Sequence, residues 1–120
     1  MKQRIIIVLC LCFSLFMSAD EAKINLEHKN GGNHIEHYAP ADLPEVYHDD
    51  ETDEITIVAD GFSSYYNVVI IRNTPYQVVI TTQVSGYGDT IDVSSLPTGS
   101  YTIIFTSQFH NTYEGQFYIQ

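Results

Sequence analysis

From Glu45 onward the chain is a succession of short β-branched and aromatic runs, each stopped by a turn signal. Ile55-Thr56-Ile57-Val58-Ala59 alternates and halts at Asp60-Gly61. The longer Tyr65 to Arg72 run closes at Asn73-Thr74-Pro75, and Tyr76 to Val84 ends at Ser85-Gly86-Tyr87-Gly88-Asp89. Val46 to His48, Thr90 to Val93, Ser100 to Thr106 and Tyr113 to Ile119 supply the shorter pieces. Runs this short, at roughly 8–12-residue spacing, fit strands of an antiparallel sandwich and leave no room for a helix. The fold class expected is therefore all-β, a Greek-key immunoglobulin-like sandwich of about six or seven strands.

The two long runs, Tyr65 to Arg72 and Tyr76 to Val84, do not by themselves fix which face is buried. Tyr66-Asn67-Val68-Val69-Ile70-Ile71 is apolar on both sides except at Asn67, as a central strand of β-branched residues would be. Alternation places Ile55, Ile57, Val68, Ile70, Val78, Ile80, Leu96, Tyr101, Ile103, Phe105 and Phe117 in the core. A one-residue slip in either long run would exchange every side chain between faces.

Leu96-Pro97-Thr98-Gly99-Ser100-Tyr101 has the logic of a strand corner. Pro97 fixes a turn, Gly99 supplies backbone freedom, and Leu96 and Tyr101 flank it. A tyrosine placed there buries its ring and returns its hydroxyl to upstream backbone, the tyrosine corner of Greek-key sandwiches. An ordinary core tyrosine after a turn gives the same fold.

The N-terminus has the layout of an export signal. Lys2 and Arg4 precede an apolar run from Ile5 to Phe16, then the small residues Ser18 and Ala19. The run is shorter than the roughly 20 apolar residues a spanning helix needs. Residues 1–19 are thus expected to be a signal peptide cleaved after Ala19, with no membrane insertion once it is removed. Cys10 and Cys12 sit inside the apolar run behind Leu9 and Leu11, which speaks against lipidation. Both leave with the signal, so the mature chain enters an oxidising compartment without disulfides and rests on its core alone. The expected location is secreted, or periplasmic at the cell envelope.

Charge is uneven. Twelve of the fifteen acidic residues lie between Asp20 and Asp60, accompanied by Lys23 and Lys29 alone. The net charge of −10 becomes more negative once Lys2 and Arg4 are lost. A nucleic-acid partner is excluded, because a phosphate backbone requires clustered cations. Residues 20–44 show no sustained periodicity and contain Gly31-Gly32, Pro40 and Pro44. They are expected to form an acidic flexible leader with one short strand near Ile24 to Leu26. The sandwich would then occupy residues 45–120.

Pro44-Glu45-Val46 and the closing Leu96-Pro97-x-Gly99-x-Tyr101-x-Ile103 strand resemble a family of small secreted Bacteroidetes proteins of unknown function, the DUF3244 family. The resemblance implies an immunoglobulin-like sandwich behind a leader, and it implies no activity. The closing strands also look like the C-terminal sorting domains of type IX secretion. Those domains end in basic residues, whereas this chain ends Phe117-Tyr118-Ile119-Gln120.

Sites with chemistry are scarce. His34-x-x-His37, Glu36 and His48 offer imidazoles to a metal, but Gly31-Gly32 and Pro40 deny the helix that would align them. Asp49, Asp50 and Asp53 are the best candidates for a calcium site. The loop they occupy lacks the glycine of an EF-hand and runs directly into a strand. No metal and no cofactor is expected. The mature chain has no cysteine nucleophile, no Gly-x-Ser-x-Gly elbow and no phosphate-binding loop, and His110 reads as a turn residue. A non-enzymatic role follows. Nine tyrosines and no tryptophan shift interest to binding. Tyr65, Tyr87, Tyr113 and Tyr118 fall at strand ends or in loops, and Tyr65 and Tyr87 are the candidate anchors for an unknown protein or glycan. The competing roles are a structural or sorting domain that assembles through edge strands and, behind it, an enzyme.

Overall fold

The computed structural model describes residues 21–29 and 41–120, and the cleavage site at Ala19 and the His34, Glu36, His37 group lie outside them. The described chain is all-β: β1 (Glu21–Ile24), β2 (Glu27–His28), β3 (Glu45–Asp49), β4 (Glu54–Val58), β5 (Tyr65–Asn73), β6 (Tyr76–Ser85), β7 (Asp89–Asp92), β8 (Gly99–Ser107) and β9 (Thr112–Ile119). Two antiparallel sheets face each other, one in the order β1-β3-β4-β7 and one in the order β2-β9-β8-β5-β6. This is an immunoglobulin-like sandwich. Strands β3 to β9 answer to the seven runs read from the sequence.

The two added strands come from the acidic segment. β1 pairs with β3, setting Ile24 opposite Val46, and after Asn25 and Leu26 the chain crosses to pair His28 with Tyr113 on β9. The segment Glu21 to Lys29 is thus a strap that caps one edge of each sheet and closes the seam between them. Over Glu21 to Lys29 it stands where a flexible leader is expected, and the one short strand expected near Ile24 to Leu26 becomes two, Glu21–Ile24 and Glu27–His28. The reason lies in the opposite strand. Inward positions of β9 alternate Tyr113, Gly115, Phe117, Ile119, and a Cβ at Gly115 would lie 2.6 Å from Ile24 Cγ2 and 2.9 Å from Leu26 Cδ2. The missing side chain leaves the slot that Ile24 and Leu26 fill. Only those two apolar residues face inward, so the strap has no periodicity to read.

The core is a single cluster holding Val46, Ile55, Ile57, Val68, Ile70, Ile103 and Phe105, joined by the buried rings of Tyr66, Tyr101 and Tyr113. Tyr66 meets Phe105 edge to face at 6.1 Å, and Tyr101 stacks on Phe117 at 5.5 Å. Three expected core residues sit differently. Val78 is 50% exposed, while Ile80 and Leu96 are half-buried against the cluster. A β-bulge explains Val78: Ile70 pairs with Ile80 but Ile71 pairs with Val78, leaving Val79 as the extra residue. The bulge breaks the two-residue period, so Val78 turns to the outer face while Ile80 stays inward. Ile80 and Leu96 are half-covered because the first lies on a sheet edge and the second in a corner.

At the corner, the Tyr101 ring is fully buried and its hydroxyl donates to the Pro97 carbonyl at 2.5 Å. Gly99 adopts φ +153, in open space, so its backbone angle rather than any neighbour selects glycine. Tyr101→Phe should fold and lose about 1 kcal/mol, the cost of one unmade hydrogen bond to a carbonyl. Urea melts check this, and an unchanged midpoint would show that the hydroxyl contributes nothing.

Candidate functional site

One end of the sandwich gathers four chain segments: residues 41–44, the β4–β5 loop, the β6–β7 turn and the β8–β9 loop. Asp42 ties the first of them to the fourth and to the strands beside it. It is 3% exposed, and its carboxylate accepts hydrogen bonds from Ser107 Oγ at 2.5 Å, Asn111 Nδ2 at 2.9 Å and the Tyr113 hydroxyl. Its backbone carbonyl accepts the Tyr66 hydroxyl at 2.7 Å. A buried carboxylate is tolerable because three donors replace its water shell. The loop before β3 is thereby bonded to β5, to the β8–β9 loop and to the start of β9.

Burial pushes the Asp42 carboxyl up, but the bonds from Ser107, Tyr113 and Asn111 outweigh it and hold the group below the usual carboxylate range. Burial, reinforced by the Asp42 charge, pushes the Tyr66 hydroxyl up to about 12 and raises Tyr113 as well. The signs set the pH window. A depressed acid stabilises above its unfolded value of about 3.9 and loses that contribution as pH falls through its folded value. A raised tyrosine stabilises fully below about 10 and loses its share as pH climbs toward the folded value. Melting temperature should therefore be flat through neutrality and fall steeply above about pH 10. The gap between wild type and Asp42→Asn should close only below about pH 4. Differential scanning calorimetry across the pH range tests both arms.

The remaining loops lock through backbone and small side chains. Gly61 N–H donates to the Gly86 carbonyl at 2.8 Å, and Gly86 N–H donates to the Ser64 carbonyl at 2.9 Å. The fully buried Ser63 hydroxyl donates to the Tyr65 carbonyl and accepts the Gln108 N–H at 3.0 Å. Gln108 Oε1 in turn accepts the Ser64 N–H. Gly61, at φ +84, lies against the ring of Tyr87, whose Cε1 would be 2.2 Å from an added Cβ.

On this bonded base stand exposed aromatics. Phe62 is 59% exposed and Phe109 52%, and with Ala41, Asp42 and Asn111 they line an open depression of about 200 Å³. Tyr87, 75% exposed, and Tyr65, 37% exposed, belong to the same end of the sandwich. The sequence pointed to the two tyrosines and missed both phenylalanines, which sit singly inside polar turns. It also placed Tyr113 among residues with a chance of exposure, and the ring is wholly buried on Asp42. Asp42 itself was hidden in a segment where acids are common.

The acidic candidates for calcium have other duties. Asp49 Oδ1 closes the β3–β4 turn by accepting the Glu51 N–H at 2.9 Å and the Thr52 N–H at 3.4 Å. Asp53, at φ +55, pairs with the buried His48 ring at 3.3 Å, and Asp50 is exposed. Among the described residues no three histidine, cysteine, aspartate or glutamate side chains cluster to hold a metal.

Comparison of folds adds one finding. The chain is similar to a DUF3244 family protein with an immunoglobulin-like β-sandwich fold from Bacteroides vulgatus. The two share 14% identity, with a TM-score of 0.65 over 83% of this chain and 99% of that one. The likeness establishes the sandwich. No protein-family model matches the sequence, and no curated protein matches it.

Proposed function

We propose that this is a secreted, non-catalytic binding module that takes a protein partner on its loop end. Phe62 and Phe109 carry the proposal: two large apolar rings stand in solvent on either side of a depression whose floor is held rigid by Asp42. Exposed aromatics are expensive to keep on a small domain unless they anchor something, and a rigid base lowers the ordering cost of binding. The hydroxyls near them are spent as donors to Asp42 or to backbone carbonyls, which suits structure better than acid–base chemistry. Export by the Met1–Ala19 leader would place this surface outside the cytoplasm.

The test is capture from native envelope with wild type and with the Phe62→Ser/Phe109→Ser double variant. The variant should keep its melting temperature and lose about tenfold or more of the captured partner's affinity. A partner retained equally by both proteins refutes the assignment.

A second reading rests on β6. It is a ten-residue edge strand, Tyr76 to Ser85, with no charged residue, whereas the edge strands β1, β2 and β7 all carry charge. Charges and prolines are what usually block edge pairing, so β6 supports assembly through strand addition. Thr81→Lys should abolish any dimer seen by light scattering if that assembly exists, and a monomer at high concentration in wild type rules it out.

A further inference from the structure

The outer face of the five-stranded sheet carries a row of side chains that the loop-end surface does not use. Register sets Tyr118 on β9 beside Ser100 on β8, and Asn73 on β5 beside Tyr76 on β6. Asn73 Nδ2 donates to Ser100 Oγ at 2.7 Å, which joins the two pairs into one row across four strands. The intervening residues Tyr101 and Phe117 point into the core, so this row points out. Tyr76 is 74% exposed and Tyr118 54%. Three strand spacings of about 4.8 Å set their backbones about 14 Å apart, with a polar floor between them.

That floor is pre-ordered. Asn73 Nδ2 also donates to Gln116 Oε1 at 3.1 Å, and the Thr102 hydroxyl lies 2.7 Å from Asn73 Oδ1 and 3.0 Å from Gln116 Oε1. The amide oxygens are therefore occupied within the cluster. What faces solvent is the Gln116 amide N–H pair, the Ser100 hydroxyl and the two phenols, a set rich in donors. None of the six residues is charged, and the protein's net charge of −10 repels anions.

We propose that this face binds a neutral polysaccharide laid across the strands from Tyr118 to Tyr76. A sugar ring has an apolar C–H face and a rim of hydroxyl oxygens. The first stacks on an exposed phenol ring, and the second accepts from donors already held in place. The absence of charge excludes uronates and sulfated chains. The open shape excludes a small enclosed ligand and suits a polymer. The site is independent of Phe62 and Phe109, which lie at the loop end.

Affinity electrophoresis of the full chain, expressed with its own leader, tests the proposal. Gels would contain galactomannan, xyloglucan, mixed-linkage β-glucan or amylopectin, with polygalacturonate as the anionic comparison. Retardation is expected in at least one neutral gel and not in polygalacturonate. Tyr76→Ala and Tyr118→Ala, both at protruding rings, should keep the wild-type melting temperature and each weaken retention about tenfold. Phe62→Ser/Phe109→Ser should leave retention unchanged, which separates this face from the loop-end surface. No retardation in any neutral gel overturns the proposal. So does retardation by polygalacturonate alone, or retention that neither tyrosine variant reduces.

Discussion

A chain that begins at Glu45 is expected to lose its cooperative fold, although every strand from β3 to β9 is still present. The truncation deletes Asp42 and leaves Ser107, Asn111 and Tyr113 as donors around an empty position, two of them on fully covered residues. Each unpaired buried donor costs about 1–3 kcal/mol. Tyr66 loses the carbonyl that accepts its hydroxyl. Ile24 and Leu26 also vanish from the slot over Gly115, and re-exposing one aliphatic cluster of that size costs about 2 kcal/mol. Together these approach the whole stability of a small domain, about 5 kcal/mol at the low end of the usual range. Circular dichroism melts should show a broad or absent transition for the truncated chain. The single variant Asp42→Ala in the full chain should still fold and lose about 3 kcal/mol, which isolates the carboxylate from the strap. A sharp transition from the truncated chain near the wild-type midpoint would return Glu21 to Pro44 to the status of a dispensable leader.

That domain boundary marks the limit of what periodicity reveals. Strands β3, β4 and β9 were legible because each buries alternate residues, β5, β6 and β8 because they are long β-branched or aromatic runs, and all because glycine, proline and aspartate punctuate the gaps. The strap was legible only as one short strand near Ile24 to Leu26, since β1 shows three exposed residues before Ile24 and β2 spans only two residues. Its signal lay on the other strand, in a glycine at an inward position of β9 where its neighbours are large. The bulge was equally hidden. Val78-Val79-Ile80 are three β-branched residues in succession, and such a run fits either face. Asp42 failed for a different reason: twelve acids crowd residues 20–60, and burial of one depends on donors from Ser107, Asn111 and Tyr113, more than sixty positions away. Of the exposed aromatics at the loop end, Tyr87 was visible in a turn rich in glycine. Phe62 and Phe109 acquire meaning only when two loops distant in sequence meet.

Gly86→Ala should be the most damaging glycine-to-alanine change among the described residues. A Cβ at this position would lie 1.6 Å from the Ser63 carbonyl oxygen, 2.7 Å from its carbon and 2.8 Å from the Ser64 carbonyl carbon. All three are backbone atoms, so no rotamer change relieves the clash. Relief requires the β4–β5 loop and the β6–β7 turn to separate by more than an ångström. That movement would break the bonds from Gly61 to Gly86 and from Gly86 to Ser64. Forced overpacking costs about 1–3 kcal/mol, and two lost backbone bonds add about 1 kcal/mol each. Gly99→Ala is the informative contrast. Nothing lies within 4 Å of its added carbon, and only the φ of +153 opposes it. Gly99→Ala should lose stability without disturbing the loop end, while Gly86→Ala should do both. Hydrogen exchange distinguishes them: the Gly61 and Gly86 amides should lose protection in Gly86→Ala and keep it in Gly99→Ala. Because Phe62 and Tyr87 ride on the two loops that Gly86 joins, Gly86→Ala should also lose whatever partner the double phenylalanine variant loses. If its Gly61 amide stays protected and capture is intact, the loops are not held at this contact, and the rigid base under the aromatics must come from Asp42 alone.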